Sequence, residues 1–187
     1  MWKYRRFFLI SGILMLASEL WKQYTLTFPI GGGSYNWWYF PFQLCSIPMY
    51  VCLLLPWVHS RRLRQVLTAL LVDFGMLGGI FAFFDTSGMH YGYLPLTVHS
   101  FAWHILLILL GLAAALSDRC AAAWKDYAGS ACLYLACCLA ATGINLLFDR
   151  HGTINMFYIN RDYPMTQKVF SDIGAVRGDT AGILIYI

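Results

Sequence analysis

The sequence predicts an all-α integral membrane protein, a polytopic transmembrane helical bundle that forms a single domain over residues 1–187. Hydrophobic residues make up 59% of the chain and charged residues only 12%, whereas soluble domains carry roughly 25% charged residues. So few charges could not cover the surface of a soluble protein of this size. In addition, apolar stretches near the roughly 20 residues needed to cross the hydrocarbon layer recur along the chain.

Apolar length predicts five full spans and the start of a sixth. The five cover approximately residues 7–24, 37–57, 65–84, 98–117 and 127–148. The last apolar segment, 181–187, has seven residues and is too short to cross. We therefore expect that the C-terminal helix is truncated or that the chain end rests at the membrane interface.

The Lys and Arg residues predict a cytoplasmic N-terminus, because short cytoplasmic loops retain positive charge. The predicted inner side carries Lys3, Arg5, Arg6, Arg61, Arg62, Arg64, Arg119 and Lys125. The predicted outer ends are rich in Trp and Tyr, as expected for an interfacial belt. The net charge of +4 is thus interpreted as a topology signal, and no nucleic-acid partner is predicted. The oligomeric state is left open.

The cysteines predict neither a disulfide framework nor a zinc site. The six cysteines contain no CxxC pair, and five of them lie inside predicted spans. No metal and no cofactor are therefore predicted.

Polar side chains concentrate in the outer half of the predicted bundle. Counting from Trp37, Cys45 lies about 12 Å into the membrane, and His104 lies about 10 Å in from Thr97, at 1.5 Å per helical residue. The same layer or its edge receives Glu19, Gln43, Asp85, His99 and Asn145, and Asp73 lies deeper, near the midplane of the third span. Ionisable groups in spans are costly, and they usually face the bundle interior and mark a site.

Structural roles for these residues stay open as alternatives. Glu19 could extend to the outer surface near Lys22, and His99 could simply be solvated at the interface. Asp73 and Asn145 could be hydrogen-bonding groups between helices.

Cys45 differs from an ordinary buried cysteine, which is usually a small core hydrophobe. It lies between two prolines, in Pro41-Phe42-Gln43-Leu44-Cys45-Ser46-Ile47-Pro48. A proline inside a helix removes one hydrogen bond, so Pro48 is expected to free the carbonyl of Leu44. Irregular backbone at this depth is tolerated where it lines a cavity or is buried in protein. We therefore treat Cys45 as a candidate functional residue.

A cysteine at this depth suggests acyl transfer. A thiol needs a base to become a strong nucleophile, and His104 is the candidate at matching depth. Ser100 shares a helix face with His104 and could orient its ring, while Gln43, Asn145 or a tyrosine could donate to an oxyanion. Such a pair would face the ester bonds of glycerolipids, with a thioester as the intermediate.

At these residues the chain resembles the YwaF-type bacterial integral membrane proteins. The stretch from Pro41 to Pro48 resembles their proline-polar-leucine-cysteine signature. Three further stretches are similar to that family: Gly75-Met76-Leu77-Gly78-Gly79 leading to Asp85-Thr86, His99-Ser100-Phe101-Ala102-Trp103-His104, and Asn155-Met156-Phe157-Tyr158. The likeness covers nearly the whole chain and implies a multi-pass protein of the bacterial cytoplasmic membrane.

The resemblance also implies a six-helix fold shared with an animal transmembrane acyltransferase that remodels ether phospholipids. A more distant kinship is implied with androgen-induced membrane hydrolases of fatty-acid esters. Carried onto this chain, the nucleophile falls on Cys45 and the histidine on His104, with His99 as its rival. A membrane lipid, either a phospholipid or a lysolipid, is the implied partner. The chain departs from the family at its C-terminus, where relatives would continue through a full sixth helix.

Two other functions compete with this lipid acyltransferase or lipid-ester hydrolase. One is a non-catalytic membrane module that binds a lipid or a partner subunit. The other is a small transporter, which is disfavoured because a pathway needs polar residues through both leaflets.

Overall fold

The computed structural model describes residues 4–117, 123–163 and 167–187, and these residues form helices, turns and loops without a β-strand. Lys3 and Arg119, two of the residues used to predict the orientation, lie outside this part of the chain. Over the described ranges the all-α prediction is confirmed.

Eight α-helices occur in the described ranges: α1 (Arg5–Thr25), α2 (Ile47–Leu54), α3 (Arg61–Leu70), α4 (Leu77–Phe81), α5 (Leu94–Ser117), α6 (Trp124–Phe148), α7 (Lys168–Arg177) and α8 (Asp179–Tyr186). Two π-helical turns, Leu26–Ile30 and Leu71–Met76, extend α1 and join α3 to α4. Short 3₁₀ turns cover Trp37–Tyr39, Leu44–Ser46, Leu55–Trp57, Ser87–Met89, Asp149–His151 and Met156–Tyr158.

Three helical stretches among the described residues are long and apolar enough to cross a membrane. They are Arg61–Phe81, Leu94–Ser117 and Trp124–His151, and they coincide with the third, fourth and fifth predicted spans. The first predicted span corresponds to α1, a helix of 21 residues that is not among these three.

The second predicted span is shorter than expected. Helical structure begins at Leu44 and ends at Trp57, and it is preceded by the 3₁₀ turn Trp37–Tyr39 and by non-helical backbone. Pro48 occupies the first turn of α2, where a missing N–H removes no intrahelical bond. The proline therefore starts this helix and does not kink it. Consequently the depth of Cys45 cannot be counted at the helical rise from Trp37.

The chain after α6 also contains more helix than the sequence predicts. The seven-residue partial span expected at 181–187 belongs to α8, which follows α7 through Gly178. Gly178 has a φ of 89°, a conformation that glycine adopts without a steric penalty.

The backbone divides into two compact units. Unit 1 comprises Met1–Thr25 and Leu44–Tyr134, and unit 2 comprises Leu26–Gln43 and Leu135–Ile187. Each unit is described separately below.

Glycines allow close helix packing in unit 1. A Cβ at Gly79 would lie 3.0 Å from the carbonyl oxygen of His104, and a Cβ at Gly111 would lie 3.0 Å from that of Leu71. Helix α5 therefore packs closely on the Leu71–Met76 turn and on α4, and a larger side chain at either glycine would clash with this contact. Small residues at such contacts are typical of helix association in membranes.

Candidate functional site

Cys45 is held by a hydrogen bond from α5. It lies in the 3₁₀ turn Leu44–Ser46, directly before α2. The indole Nε1–H of Trp103 donates to the carbonyl oxygen of Cys45 at 3.0 Å. Trp103 is 7% exposed, and a buried indole N–H needs such an acceptor. This bond ties the backbone of the cysteine to the helix that carries both candidate histidines.

His104 follows Trp103 on α5, and its ring orientation is fixed by its own helix. Its Nδ1 lies 2.8 Å from the backbone carbonyl oxygen of Ser100. Ser100 was expected to orient this ring through its hydroxyl, and its carbonyl makes the contact. Because a carbonyl only accepts, Nδ1 carries the hydrogen of the neutral ring and Nε2 keeps the lone pair.

His99 lies between two indoles one turn earlier. Its ring centroid is 5.5 Å from that of Trp21 and 5.6 Å from that of Trp103. The His99 ring also hydrogen-bonds to the backbone of Ser18. Its Nε2 is buried and has no hydrogen-bond partner among residues 4–117, 123–163 and 167–187, so Nδ1 makes the bond to Ser18. His99 is thus packed among side chains and is not simply solvated.

Glu19 is almost fully buried, at 2% exposure. Its Oε1 lies 2.8 Å from Nζ of Lys22 and accepts a hydrogen bond from Nε2 of Gln23 at 2.7 Å. Its Oε2 is buried and has no hydrogen-bond partner within the described chain. Glu19 therefore does not extend to the surface, and one of its two carboxylate oxygens makes no hydrogen bond within the described residues.

These side chains share one electrostatic environment within unit 1. The charges of Lys22 and Glu19 act on both Cys45 and His99, and that of Lys22 also acts on His104. We call Glu19, Lys22, Cys45, His99 and His104 the outer cluster.

Asp73 and Asp85 each bind a partner outside the outer cluster. Asp73 lies in the π-helical turn, where its Oδ2 accepts a hydrogen bond from the Ser130 hydroxyl at 2.7 Å. Beside it, the rings of Phe74 and Tyr134 stack at 4.4 Å. Oδ1 of Asp85 accepts from the backbone N–H of Ser87 at 3.0 Å, which supports a turn. Both hydrogen bonds are of a kind that stabilises the fold.

Gln43 and Asn145 hold a loop in unit 2. Gln43 donates to the carbonyl of Asn155 at 2.9 Å and accepts from the N–H of Phe157 at 2.8 Å. Asn145 donates to the carbonyl of Met156 at 3.2 Å and accepts from its N–H at 2.7 Å. Both side-chain amides therefore bind backbone, and each NH₂ group that was considered as an oxyanion donor uses one of its two N–H bonds on this loop.

Trp103 and Trp21 were not selected from the sequence. Trp103 lies inside the stretch from His99 to His104 that carries the family resemblance. An indole within a span must find an acceptor for its N–H, and that rule could have singled it out. Nothing in the local sequence identifies the Cys45 carbonyl as that acceptor, because the pair is separated by 58 residues.

No group of three or more His, Cys, Asp or Glu side chains that could hold a metal ion occurs within the part of the chain that the structure describes. The outer cluster has a thiol, two imidazoles and an ion pair, which are groups suited to nucleophilic and acid–base chemistry.

Comparisons with known proteins bear on the family. No curated protein and no solved structure matches the chain. The model of the TMEM164 family matches residues 2–178. A match over nearly the whole length, together with the apolar helices, identifies a membrane protein, and the chain belongs to the TMEM164 family.

Proposed function

We propose that this membrane protein is an intramembrane lipid acyltransferase or lipid-ester hydrolase, with Cys45 as the nucleophile and His104 as the general base. The observation that supports it best is the hydrogen bond from Trp103 to the Cys45 carbonyl. It connects the segment of the thiol to the helix position next to His104. The free Nε2 lone pair of the His104 tautomer is what a base requires.

The proposed reaction has two steps. In the first, His104 takes the Cys45 proton, the sulfur attacks the carbonyl carbon of a lipid ester, and the C–O bond breaks. The leaving alkoxide takes the proton from His104, and the acyl group remains on the sulfur as a thioester. In the second, the O–H of water or of a lysolipid attacks the thioester, its proton passes to His104, and the C–S bond breaks. The thiolate then recovers the proton.

A small apolar pocket adjoins the segment that carries Cys45. Its lining consists of Leu44, Ile47, Pro48, Leu70, Leu71, Phe74 and Gly75. Leu44 precedes the cysteine in the chain, so the pocket adjoins the turn that carries the thiol, and an acyl chain would have to widen the pocket to enter it. The lining contains no charged side chain, as an acyl-chain site requires.

We also propose how the chain crosses the membrane. The N-terminus is cytoplasmic, five segments cross the membrane, and the outer cluster lies toward the outer leaflet of a bacterial cytoplasmic membrane. Arg61, Arg62 and Arg64 support this orientation because they lie at the start of the stretch Arg61–Phe81, and positive charges that flank a span favour the cytoplasmic side. The relation to the YwaF-type proteins and to the animal acyltransferase rests on the resemblance of the sequence motifs.

A lipid-like activity-based probe applied to the purified protein tests the nucleophile. We expect labelling of the wild type, its loss in Cys45→Ala, and its retention in Cys52→Ala. Cys52 is a fully buried cysteine of α2 and serves as the matched control. His104→Ala should slow labelling by about 10²–10⁴-fold, the usual contribution of a general base. Labelling that persists in Cys45→Ala would exclude this nucleophile.

A non-catalytic module that binds a lipid or a partner subunit is the second candidate. The observation that favours it is the structural use of Asp73 and Asn145, which hydrogen-bond Ser130 and Met156. It predicts that Cys45→Ala leaves function intact, whereas substitution of Asp73 or Asn145 impairs folding. Lipid turnover by the wild type that Cys45→Ala abolishes would exclude it.

A further inference from the structure

The backbone carbonyl of Cys45 lies outside the hydrogen-bond ladder of α2. The N-cap is the first residue of a helix whose carbonyl accepts an intrahelical bond, and the N-cap of α2 is Ser46. A tighter 3₁₀ bond would need the N–H of the residue three positions on, which is Pro48, and proline has no N–H. The helix that follows the thiol therefore does not supply a donor for this carbonyl.

The indole of Trp103 supplies that donor from a different helix. Its Nε1–H donates to the Cys45 carbonyl oxygen at 3.0 Å, an ordinary length for an N–H···O bond. Trp103 is only 7% exposed, and its ring packs against that of His99 at a centroid distance of 5.6 Å. Burial and packing hold the indole in place, so this bond fixes the carbonyl of the thiol residue relative to α5.

His104 is the next residue of the same helix. Its ring is anchored to α5 as well, because its Nδ1 lies 2.8 Å from the carbonyl oxygen of Ser100. Consecutive helical residues point about 100° apart, so the indole and the imidazole do not compete for one atom of the turn that carries Cys45. Any movement of that turn relative to α5 changes the distance between the thiol and the imidazole.

We propose that Trp103 is a positioning residue, whose hydrogen bond to the Cys45 carbonyl keeps the thiol within reach of His104. The role rests on the proposed function, because it concerns the step in which the sulfur attacks the ester and its proton passes to His104. Such a transfer requires hydrogen-bond distance between the two groups. Trp103 itself neither gives nor takes a proton in this step.

Two replacements remove the N–H of Trp103. Trp103→Phe keeps an aromatic ring at the position. Incorporation of 3-benzothienylalanine at position 103 also keeps the shape of the indole, because sulfur takes the place of the N–H, and it guards against a loss of folding. Trp21→Phe is the matched control, since Trp21 packs against the same His99 ring at a similar distance, 5.5 Å, and belongs to α1.

The first measurement is hydrogen exchange of the turn, and it does not depend on catalysis. Mass spectrometry follows the amides of residues 44–47 in the purified protein. We expect faster exchange in both Trp103 replacements than in the wild type and in Trp21→Phe, because the turn loses its anchor on α5. Equal exchange in all four proteins would overturn the proposal.

The second measurement is the rate at which p-nitrophenyl butyrate acylates Cys45, followed by nitrophenolate release and by intact-protein mass. We expect the maximal rate to fall by up to about 100-fold in both replacements, the loss that a misplacement of about 1 Å can cause. The ester concentration at half-maximal rate should stay unchanged. A raised half-maximal concentration with an unchanged maximal rate would indicate lost substrate binding and would overturn the positioning role.

A double-mutant cycle with His104→Ala provides the decisive comparison. If Trp103 acts by placing the thiol against His104, its replacement should slow the His104→Ala protein much less than it slows the wild type. Equal slowing in both backgrounds, or wild-type rates in both Trp103 replacements, would overturn the positioning role alone. Absence of any acylation of wild-type Cys45 would instead overturn the proposed function, and the role of Trp103 in it.

Discussion

The buried amides of unit 2 and the outer cluster of unit 1 use polar groups in opposite ways. In unit 2, the side chains of Gln43, Asn145, Asn155 and Asn160 bond mainly to the backbone of residues 154–162. Of their amide atoms only Nδ2 of Asn155 lacks a partner within the described residues. In the outer cluster, Glu19 and His99 each keep one acceptor unused.

This difference separates polar groups that stabilise the fold from polar groups that lower its stability. The unit 2 loop needs its amides because Phe157 and Tyr158 both have positive φ, at 58° and 56°, which costs roughly 1–2 kcal/mol per residue outside glycine. The unpaired acceptors of the outer cluster lower the stability of the fold, because their burial is not offset by a hydrogen bond. Substitutions in the two regions should therefore have opposite consequences.

Asn145→Leu should have the largest effect on stability. It leaves the buried N–H of Met156 without a partner, while the Met156 carbonyl keeps only its 3.4 Å bond from the N–H of Ile159. We expect a loss of about 2–3 kcal/mol. Thermal unfolding in detergent measures it. Asn36→Ala is the control, since Asn36 accepts a single exposed bond from the N–H of Trp38. An Asn145→Leu protein as stable as Asn36→Ala would contradict the structural role of the unit 2 amides.

Gln43→Met should come next, with a loss of about 1–2 kcal/mol, because Gln43 holds the same loop from a half-buried position. Since Gln43 and Asn145 bind neighbouring residues of one turn, the double variant should lose less than the sum of the single losses. Strict additivity in this double-mutant cycle would indicate that the two amides act independently.

The Asp73–Ser130 hydrogen bond should contribute less. A cycle of Asp73→Asn and Ser130→Ala is expected to give a coupling of about 0.6 kcal/mol, which is typical of hydrogen bonds between membrane helices. Unfolding of the three variants and the wild type in the same detergent supplies the four values. A coupling near zero would show that the 2.7 Å contact does not stabilise the fold.

His99→Phe should have the smallest effect and is the sharpest test of the comparison. The ring packing against Trp21 and Trp103 is kept, and removal of a buried ring nitrogen without a partner offsets the loss of the bond to the Ser18 backbone. We therefore expect a thermal midpoint close to that of the wild type. A clear loss of stability would place His99 with the structural amides of unit 2.

The long helices were predictable because apolar length is a strong signal. Predicted spans 98–117 and 127–148 lie within α5 and α6. The non-helical backbone after Trp37 was not predicted, because a segment rich in Trp, Tyr and Phe is as apolar as a helix. Its turn is set by a local bond, in which the side chain of Asn36 accepts from Trp38.

The residues of the candidate site could be predicted from their types, but the contacts that they make could not. Glu19, Cys45, His99 and His104 were selected because ionisable or nucleophilic groups in spans are unusual, and the structure places them in unit 1. Gln43 and Asn145 were selected as polar groups of the same layer that could donate to an oxyanion, and they bond the loop of unit 2. Whether a polar side chain joins the outer cluster or bonds the unit 2 loop depends on partners more than ten residues away in sequence. Helical periodicity cannot reveal such partners.

The shortness of the helical stretch Leu44–Trp57 has a consequence for the surrounding lipid. Fourteen residues rise only about 21 Å along a helix axis, whereas the hydrocarbon layer is about 30 Å thick. In the proposed topology this mismatch is relieved by local thinning of the bilayer. A thinned outer leaflet would bring glycerol backbones, and the water that solvates them, down to the level of the thiol.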